Sequence, residues 1–310
     1  MNDFYWFTGV VKDVEDPLKI GRVRILIHGK HSDIQNVSHQ EGVGVNIECL
    51  PWAMPIQSVT SAANGQIGTS PTGYDLETQV VGFSTGPLYE NLFVIGSLAG
   101  APGGNSDIPT SAQGETDSRV SGKSLKTGVS IAGGGSWSEP ASPSSPVYPN
   151  NHVTSTKSGH LIEIDDTDGA ERIHVYHKSG SSVEFHTDGA VVIRGQGDLY
   201  TIVQNDNNIS VEGNINITAT NCNIKANSDC NIEAGGNVNV FASSAVNLTA
   251  SSLSASISGT ASISANSATI SSTTANISSS GTFTVSSAGS GAIIASGGLL
   301  LKGAIKSIKL

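Results

Sequence analysis

The sequence predicts an all-β protein: an N-terminal closed barrel followed by a C-terminal β-helix that three copies of the chain build together. Two observations carry this prediction. Residues 1–100 contain five to six short apolar stretches separated by Gly and Pro turns, which is typical of a small closed barrel. Residues 209–285 repeat a pair of apolar side chains every six to eight residues, which is typical of a stacked β repeat.

The barrel is predicted from five stretches with strand character: WFTGVVKDV, RVRILIHG, CLPWAMPIQSV, TQVVGFS and ENLFVIGSL. Their number and spacing suit a barrel of the oligonucleotide/oligosaccharide-binding (OB) kind. Trp6, Trp52 and the Phe residues alternate with other apolar groups, so we expect them in its core. Residues 1–98 carry five Lys and Arg against ten Asp and Glu, and this acidic balance argues against binding to nucleic acid.

In the C-terminal repeat, the two apolar side chains of each pair lie two residues apart, which is the period of a strand. The filler is Asn, Ser, Thr and Gly, so a coiled coil is excluded. Residues 234–301 carry no Asp, Glu, Lys or Arg, which argues against disorder. The side chains expected to line the interior are Ile209, Val211, Ile215, Ile217, Ile224, Ile232, Val238, Val240, Val246, Leu248, Ile263, Ile270, Ile277, Phe283 and Val285.

One small apolar pair per step cannot close a core around a single chain. Three chains would supply the three walls of a prism, and each strand edge would be satisfied by its two neighbours. We therefore predict an intertwined homotrimer, a β-prism spike. Eleven layers at about 4.8 Å each give a rod on the order of 50 Å long.

Four domains follow from the changes in composition. They are the OB-fold barrel (1–100), a Gly/Pro/Ser-rich linker (101–152), an antiparallel β collar (153–198) and the trimeric β-helix (199–310). Asp-Gly and Ser-Gly turns join the collar strands. We expect the buried faces of the collar to consist of Ile162, Ile164, Ile173, Val175, Val183, Phe185, Val191 and Ile193.

The His, Cys and acidic residues that could bind a metal or catalyse a reaction are better explained by structural roles. His160, His174, His177 and His186 are expected to pack on the collar rather than bind a metal, and Cys222 and Cys230 to fill the interior of the repeat. Glu163, Asp165 and Asp166 could form a glycosidase pair, but turn chemistry explains the aspartates better. No catalytic residue, cofactor or metal is expected, and no nucleic-acid partner.

The N-terminus and the lengths of the apolar stretches indicate where the protein is made and whether it is anchored in a membrane. The N-terminus lacks the pattern of a signal peptide, and no window of eighteen residues is uninterruptedly apolar. The formal net charge of −10 argues against a nucleic-acid partner. We expect a soluble chain that is made in a cytosol and has no membrane anchor of its own.

Four segments resemble the central spikes of contractile-tail baseplates, the family of the T-even-type phage spike, with the VgrG spikes of type VI secretion as more distant relatives. They are VVKDVEDPLKIGRVRILIHGKH, LPWAMPIQSVTSA, ENLFVIGSLAG and, at residues 156–180, TKSGHLIEIDDTDGAERIHVYHKSG. In the T-even spike a lysozyme domain separates barrel and β-helix. Residues 101–152 are too short for such a domain, so the lysozyme activity is not expected here.

The resemblance implies a structural virion protein, made in the host cytoplasm, that pierces the cell envelope as a trimeric needle. It also implies attachment of the barrel to a baseplate hub protein and transient contact of the needle with the host outer membrane. A PAAR-type tip protein would dock on the C-terminal end, at Leu300, Leu301, Lys302, Ile305 and Ile308; alternatively, these residues only close the core. The alternatives are a β-helical tailspike-type polysaccharide depolymerase and a VgrG-like spike.

Overall fold

The computed structural model describes residues 3–31, 45–101 and 104–289. The chain divides into two units, residues 1–225 and 226–310. The described residues form twelve strands, β1–β12, all of them in the first unit. No helix in these ranges has the length and apolar character needed to cross a membrane.

Five strands form the predicted N-terminal barrel, which confirms the all-β prediction for this part of the chain. They close in the order β1-β2-β3-β5-β4, with β3 and β5 parallel and every other neighbouring pair antiparallel. Their bounds are β1 Tyr5–Asp13, β2 Val23–Ile27, β3 Trp52–Pro55, β4 Gln79–Ser84 and β5 Leu92–Ser97.

The barrel interior is filled by side chains from all five strands. They are Phe7, Val11, Val23, Ile25, Ile27, Ala53, Val80, Leu92 and Val94. Gly82 lets β4 approach β5 closely, because a Cβ atom there would lie 2.1 Å from the Phe93 carbonyl oxygen. Of the aromatic residues predicted for this core, Phe7 belongs to it, and Trp52 and the other barrel Phe residues do not. The prediction is wrong for Trp6, which lies on the opposite side of the pleat from Phe7 and is 64% exposed, and for Phe4, which is 58% exposed.

A second, antiparallel sheet follows, which we name the collar sheet. Its strands lie in the order β12-β11-β10-β9-β8. They are β8 Asn151–Ser155, β9 Leu161–Asp165, β10 Arg172–Tyr176, β11 Ser182–Phe185 and β12 Val191–Arg194. Gly169, Gly180 and Gly189 take positive φ in the turns between strands, as tight hairpins require.

Residues 104–147, which we name the covering segment, pack against one face of the collar sheet. The segment contains a 3-10 helix at Thr110–Gln113, the short helix α1 (Ser118–Ser121) and a hairpin of β6 (Val129–Ser130) and β7 (Ser136–Trp137). The Asp117 carboxylate caps α1 by accepting a hydrogen bond from the Arg119 N–H. Ser111 and Val120 are buried, so much of this linker-like sequence is ordered by contact with the sheet.

From residue 199 onward the described residues form no strand within the single chain and are exposed. This holds for residues 199–225 of the first unit and for residues 226–289 of the second. One contact joins this stretch to the covering segment: the Thr218 hydroxyl donates to the Ser130 carbonyl oxygen at 2.8 Å.

Candidate functional site

The collar sheet buries its charged face and exposes its aliphatic face, which is the reverse of the expected arrangement. In β9, Leu161, Glu163 and Asp165 point inward and are buried, whereas Ile162 and Ile164 point outward and are about half exposed. The prediction that the aliphatic side chains of this sheet form its buried face is therefore wrong for the single chain. The reason is the covering segment, which packs on the charged face and leaves the aliphatic face open.

Arg172 is the centre of the buried charged face. Its guanidinium Nη2 lies 2.5 Å from Glu163 Oε2, and its Nη1 lies 3.2 Å from Glu184 Oε1. All three side chains are almost fully buried. A buried charge is tolerated only when it is paired and hydrogen-bonded, so one arginine holds two strands, β9 and β11, against β10.

Histidines and an asparagine complete this cluster. Asn151 Nδ2 donates to Glu163 Oε1 at 2.6 Å. His174 Nδ1 lies 3.6 Å from Glu163 Oε2, and His186 Nε2 lies 3.5 Å from Glu184 Oε2. The expected packing role of the collar histidines is confirmed for His174 and His186, which are both buried.

The surroundings lower the pKa of both glutamates. Burial alone raises the pKa of Glu163, but the neighbouring His174 ring, the hydrogen bond from Asn151 and the charge of Arg172 outweigh it and lower the pKa to about 2. Burial also raises the pKa of Glu184. The hydrogen bond that Glu184 accepts from Ser142 and the nearby positive charges have the larger effect, so the pKa of Glu184 is lowered. A glycosidase acid needs a raised pKa, so neither carboxyl is suited to donate a proton.

The covering segment reaches the cluster through its polar side chains. Lys123 Nζ donates to Ser182 Oγ at 3.1 Å and lies 3.3 Å from His174 Nε2; burial lowers its pKa. Ser142 Oγ donates to Glu184 Oε1 at 2.5 Å. A cavity of about 180 Å³ lies between segment and sheet beside these groups. The segment thus supplies hydrogen-bonding partners that the charged face needs.

The remaining candidates of the collar have structural partners. Asp165 Oδ1 accepts a hydrogen bond from the Thr167 N–H at 3.0 Å, which is the expected turn chemistry. The centroids of the His160 and His177 rings lie 4.5 Å apart, where β9 begins and β10 ends. Within the described ranges, no group of three or more His, Cys, Asp or Glu side chains is placed to hold a metal ion.

The open face of the collar sheet carries two cross-strand rows of apolar side chains, which we name the collar rows. The strand register aligns Ile164, Ile173, Phe185 and Val191 in the first row, and Ile162, Val175, Val183 and Ile193 in the second. Every member except Val183 is 45% to 63% exposed. Such a continuous apolar surface is typical of an interface rather than of a free face.

The predicted β-helix core residues are exposed in the single chain. Their exposure runs from 49% at Val211 to 88% at Ile263, and Cys222 and Cys230 are exposed free thiols. The described residues around these pairs belong to no strand of the single chain. The predicted tip residues Leu300, Leu301, Lys302, Ile305 and Ile308 lie outside the described residues.

Sequence reasoning missed the cluster around Arg172 and the role of residues 104–147. Alternation in RIHVY shows that Arg172, His174 and Tyr176 share a face, but alternation is symmetric between the two faces. The signal that could have found the cluster is the charge pattern: Glu163, Arg172 and Glu184 occupy the same face on three neighbouring strands.

Barrel and sheets define the class of protein: an all-β chain with an OB domain at its N-terminal end. Residues 29–171 match the family described as Gp5 N-terminal OB domain. The chain is 32% identical over 275 residues to Protein Gp5 of Vibrio phage KVP40, covering 70% of this chain and 64% of the relative. It is 40% identical over 99 residues to the pre-baseplate central spike protein Gp5 of Enterobacteria phage T4, covering 32% of this chain and 17% of the relative.

The chain is therefore homologous to the Gp5 proteins of these two phages. It spans 64% of the length of the KVP40 protein and 17% of the length of the T4 protein. The predicted resemblance to baseplate central spikes is confirmed.

Proposed function

We propose that this chain is the central spike of a contractile phage-tail baseplate, a homotrimeric and purely structural needle that pierces the cell envelope. Homology to the T4 protein, which is named as a pre-baseplate central spike protein, supports the assignment to the central spikes. The observation that carries the trimer is the pair of collar rows, an apolar sheet face left open while charged residues are buried. The repeat that follows places further apolar pairs in the open along the same chain.

The size of the open face fits contact between copies. Seven side chains at about half exposure present on the order of 600 Å², the upper end of what a monomer exposes. Burying such an area from each of three chains removes on the order of 1,800 Å² in total, or about 600 Å² for each of the three contacts between chains, so the repeat that follows would supply the rest of a specific interface. At about 25 cal/mol per Å², each chain would gain on the order of 15 kcal/mol before entropic costs.

A trimer would also satisfy the backbone of the repeat. Strand edges that lack a neighbour in their own chain would pair with two neighbouring chains, and the Ile, Val and Leu pairs would stack inside the prism. The resulting rod would be stiff, because separating the chains would break every such pair together. Its Ser-, Thr- and Asn-rich surface would carry little charge during passage through an outer membrane.

The proposed partners lie at the two ends of this needle. The barrel would attach the spike to a hub protein of the baseplate, and residues 299–310 would receive a PAAR-type tip protein. The mature protein would reside in the virion after synthesis in the host cytoplasm. A structural role without lysozyme activity is supported by the length of residues 101–152, which is too short for such a domain, and by the pairing of Glu163 and Glu184 with Arg172.

Light scattering on the full chain in solution tests the trimer. We expect a molar mass three times the 31.7 kDa of one chain; a folded monomer would refute the proposal. Ile173→Asp, at the centre of a collar row, should weaken the trimer, because three unpaired carboxylates would be buried together. Leu88→Asp is the control, since Leu88 is a barrel residue that is 77% exposed.

A further inference from the structure

A cleft between the covering segment and the collar sheet concentrates positive charge on a chain that is acidic as a whole. The cleft has a volume of about 560 Å³, and among the described residues its charged lining consists of Arg119, Lys123, Lys126 and Arg194. These are four of the sixteen Lys and Arg in a chain with a net charge of −10. We name this site the basic cleft.

The two arginines of the basic cleft already have carboxylate partners. Arg119 Nη2 lies 2.5 Å from Asp117 Oδ2, and the Arg194 guanidinium pairs with Glu139. Arg194 Nη1 also donates to the Ser124 carbonyl oxygen at 3.1 Å. Both guanidinium groups are therefore held in place, and the chain itself compensates their charges.

The two lysines of the basic cleft lack such compensation. Within the described ranges, neither ammonium group forms an ion pair with a carboxylate. The contacts of Lys123 Nζ are Ser182 Oγ at 3.1 Å, His174 Nε2 at 3.3 Å and the Tyr176 ring, whose centroid is 5.4 Å away. Lys126 is exposed. The cleft thus holds two positive charges that are free to meet an anion.

This charge count indicates the class of ligand. A phosphate monoester carries about −1.5 to −2 charges at pH 7, which matches two ammonium groups, whereas a carboxylate carries only one charge. The Gln196 amide lies against the turn between β10 and β11, because a Cβ atom at Gly180 would be 3.3 Å from Gln196 Nε2. This amide adds a neutral donor to the lining. The volume of the cleft is within the range of small-molecule sites, so it has room for the group that carries the phosphate.

The basic cleft lies on the side of the collar sheet opposite the collar rows. Tyr176 and Arg194 line it, and these residues alternate along their strands with Val175 and Ile193 of the collar rows. Contact between copies through the collar rows would therefore leave the cleft accessible.

We propose that the basic cleft binds a phosphate group, either free or carried by a sugar or a lipid headgroup. This assignment goes beyond the spike function and does not depend on it. Because both the covering segment and the sheet line the cleft, a bound phosphate would bridge the two and hold the segment on the sheet.

Calorimetric titration of the full chain at constant ionic strength tests the site and distinguishes the sources of the phosphate. Inorganic phosphate and the phosphate monoester of glucose should bind, and glucose should not. Tighter binding of the monoester would assign the site to a phosphorylated sugar, and equal affinities would assign it to phosphate itself. Vesicles of phosphatidylcholine with and without phosphatidylglycerol test the lipid headgroup as the source.

Variants of the two lysines locate the binding. Lys126→Gln should weaken phosphate binding by about five-fold at low ionic strength, and Lys126→Arg should retain most of the affinity. Lys123→Gln should weaken binding more, because Lys123 is half-buried and less screened by solvent. Lys30→Gln is the matched control: Lys30 Nζ lies 5.2 Å from the centroid of the Tyr89 ring, an aromatic contact like that of Lys123 but outside the cleft.

Thermal unfolding provides a second measurement. Phosphate should raise the unfolding midpoint of the wild type, because a ligand that binds only the folded state stabilises it, and it should raise that of Lys126→Gln less. The same scans without phosphate show whether each variant is folded. Absence of binding by every phosphate-bearing probe, or equal affinity in the wild type, Lys126→Gln and Lys123→Gln, would overturn the proposal.

Discussion

Arg172 allows the buried charged face of the collar sheet to be tested directly. Arg172→Met keeps the approximate length of the side chain but removes the charge that pairs with Glu163 and Glu184, whose side chains are 0% and 7% exposed. Breaking a buried ion pair by removing one partner costs about 3–5 kcal/mol, because the other charge stays buried without compensation. For a chain of this size, that loss lowers the unfolding midpoint by on the order of 10 °C.

The assay is thermal and denaturant unfolding at one fixed protomer concentration, since association contributes to the measured stability. Lys157→Met is the matched control: it removes an ion pair with Asp75 whose side chains are 83% and 50% exposed, and such surface pairs contribute about 0–1 kcal/mol. Adding Glu163→Gln and Glu184→Gln to Arg172→Met should restore part of the loss, because the unpaired charges disappear. A loss in Arg172→Met no larger than in Lys157→Met would refute the reasoning.

Two further predictions concern pH and the barrel. Because the folded state lowers the pKa of Glu163 to about 2 and also lowers that of Glu184, their contribution to stability is complete above the ordinary glutamate value and declines as the pH falls from there toward about 2. Unfolding midpoints across this range should therefore drop, and Glu163→Gln should flatten the drop; an unchanged slope would contradict the assigned pairing. In the barrel, Gly82→Ala should destabilise by at least about 1–3 kcal/mol, because its Cβ would meet the Phe93 carbonyl oxygen. Gly96→Ala, whose added Cβ would point into open space, should be close to neutral in chemical denaturation, and equal effects of the two changes would contradict the argument.

The barrel shows which core residues the alternation of side chains along a strand can predict and which it cannot. Val23, Ile25 and Ile27 alternate with other residues and lie in the core, because a strand with one apolar face has only one stable orientation. Trp6 and Phe7 are adjacent aromatic residues, so the pattern of β1 is apolar on both faces. The barrel closure, with Phe7 packed near Gly82, decided that Phe7 lies inside and Trp6 outside.

The sequence by itself determined the strands of the barrel and strands β9–β12 of the collar sheet, their turns and the short repeat, because these depend on side-chain period and turn chemistry within a few residues of each other. Tertiary structure alone decided which face of the collar sheet is buried. Alternation assigns Ile173 and Arg172 to opposite faces without ranking them, and the choice came from Lys123 and Ser142, some fifty and thirty residues earlier in the chain. These two side chains donate hydrogen bonds to Ser182 and Glu184 on the charged face, so that this face is covered and the aliphatic face stays open.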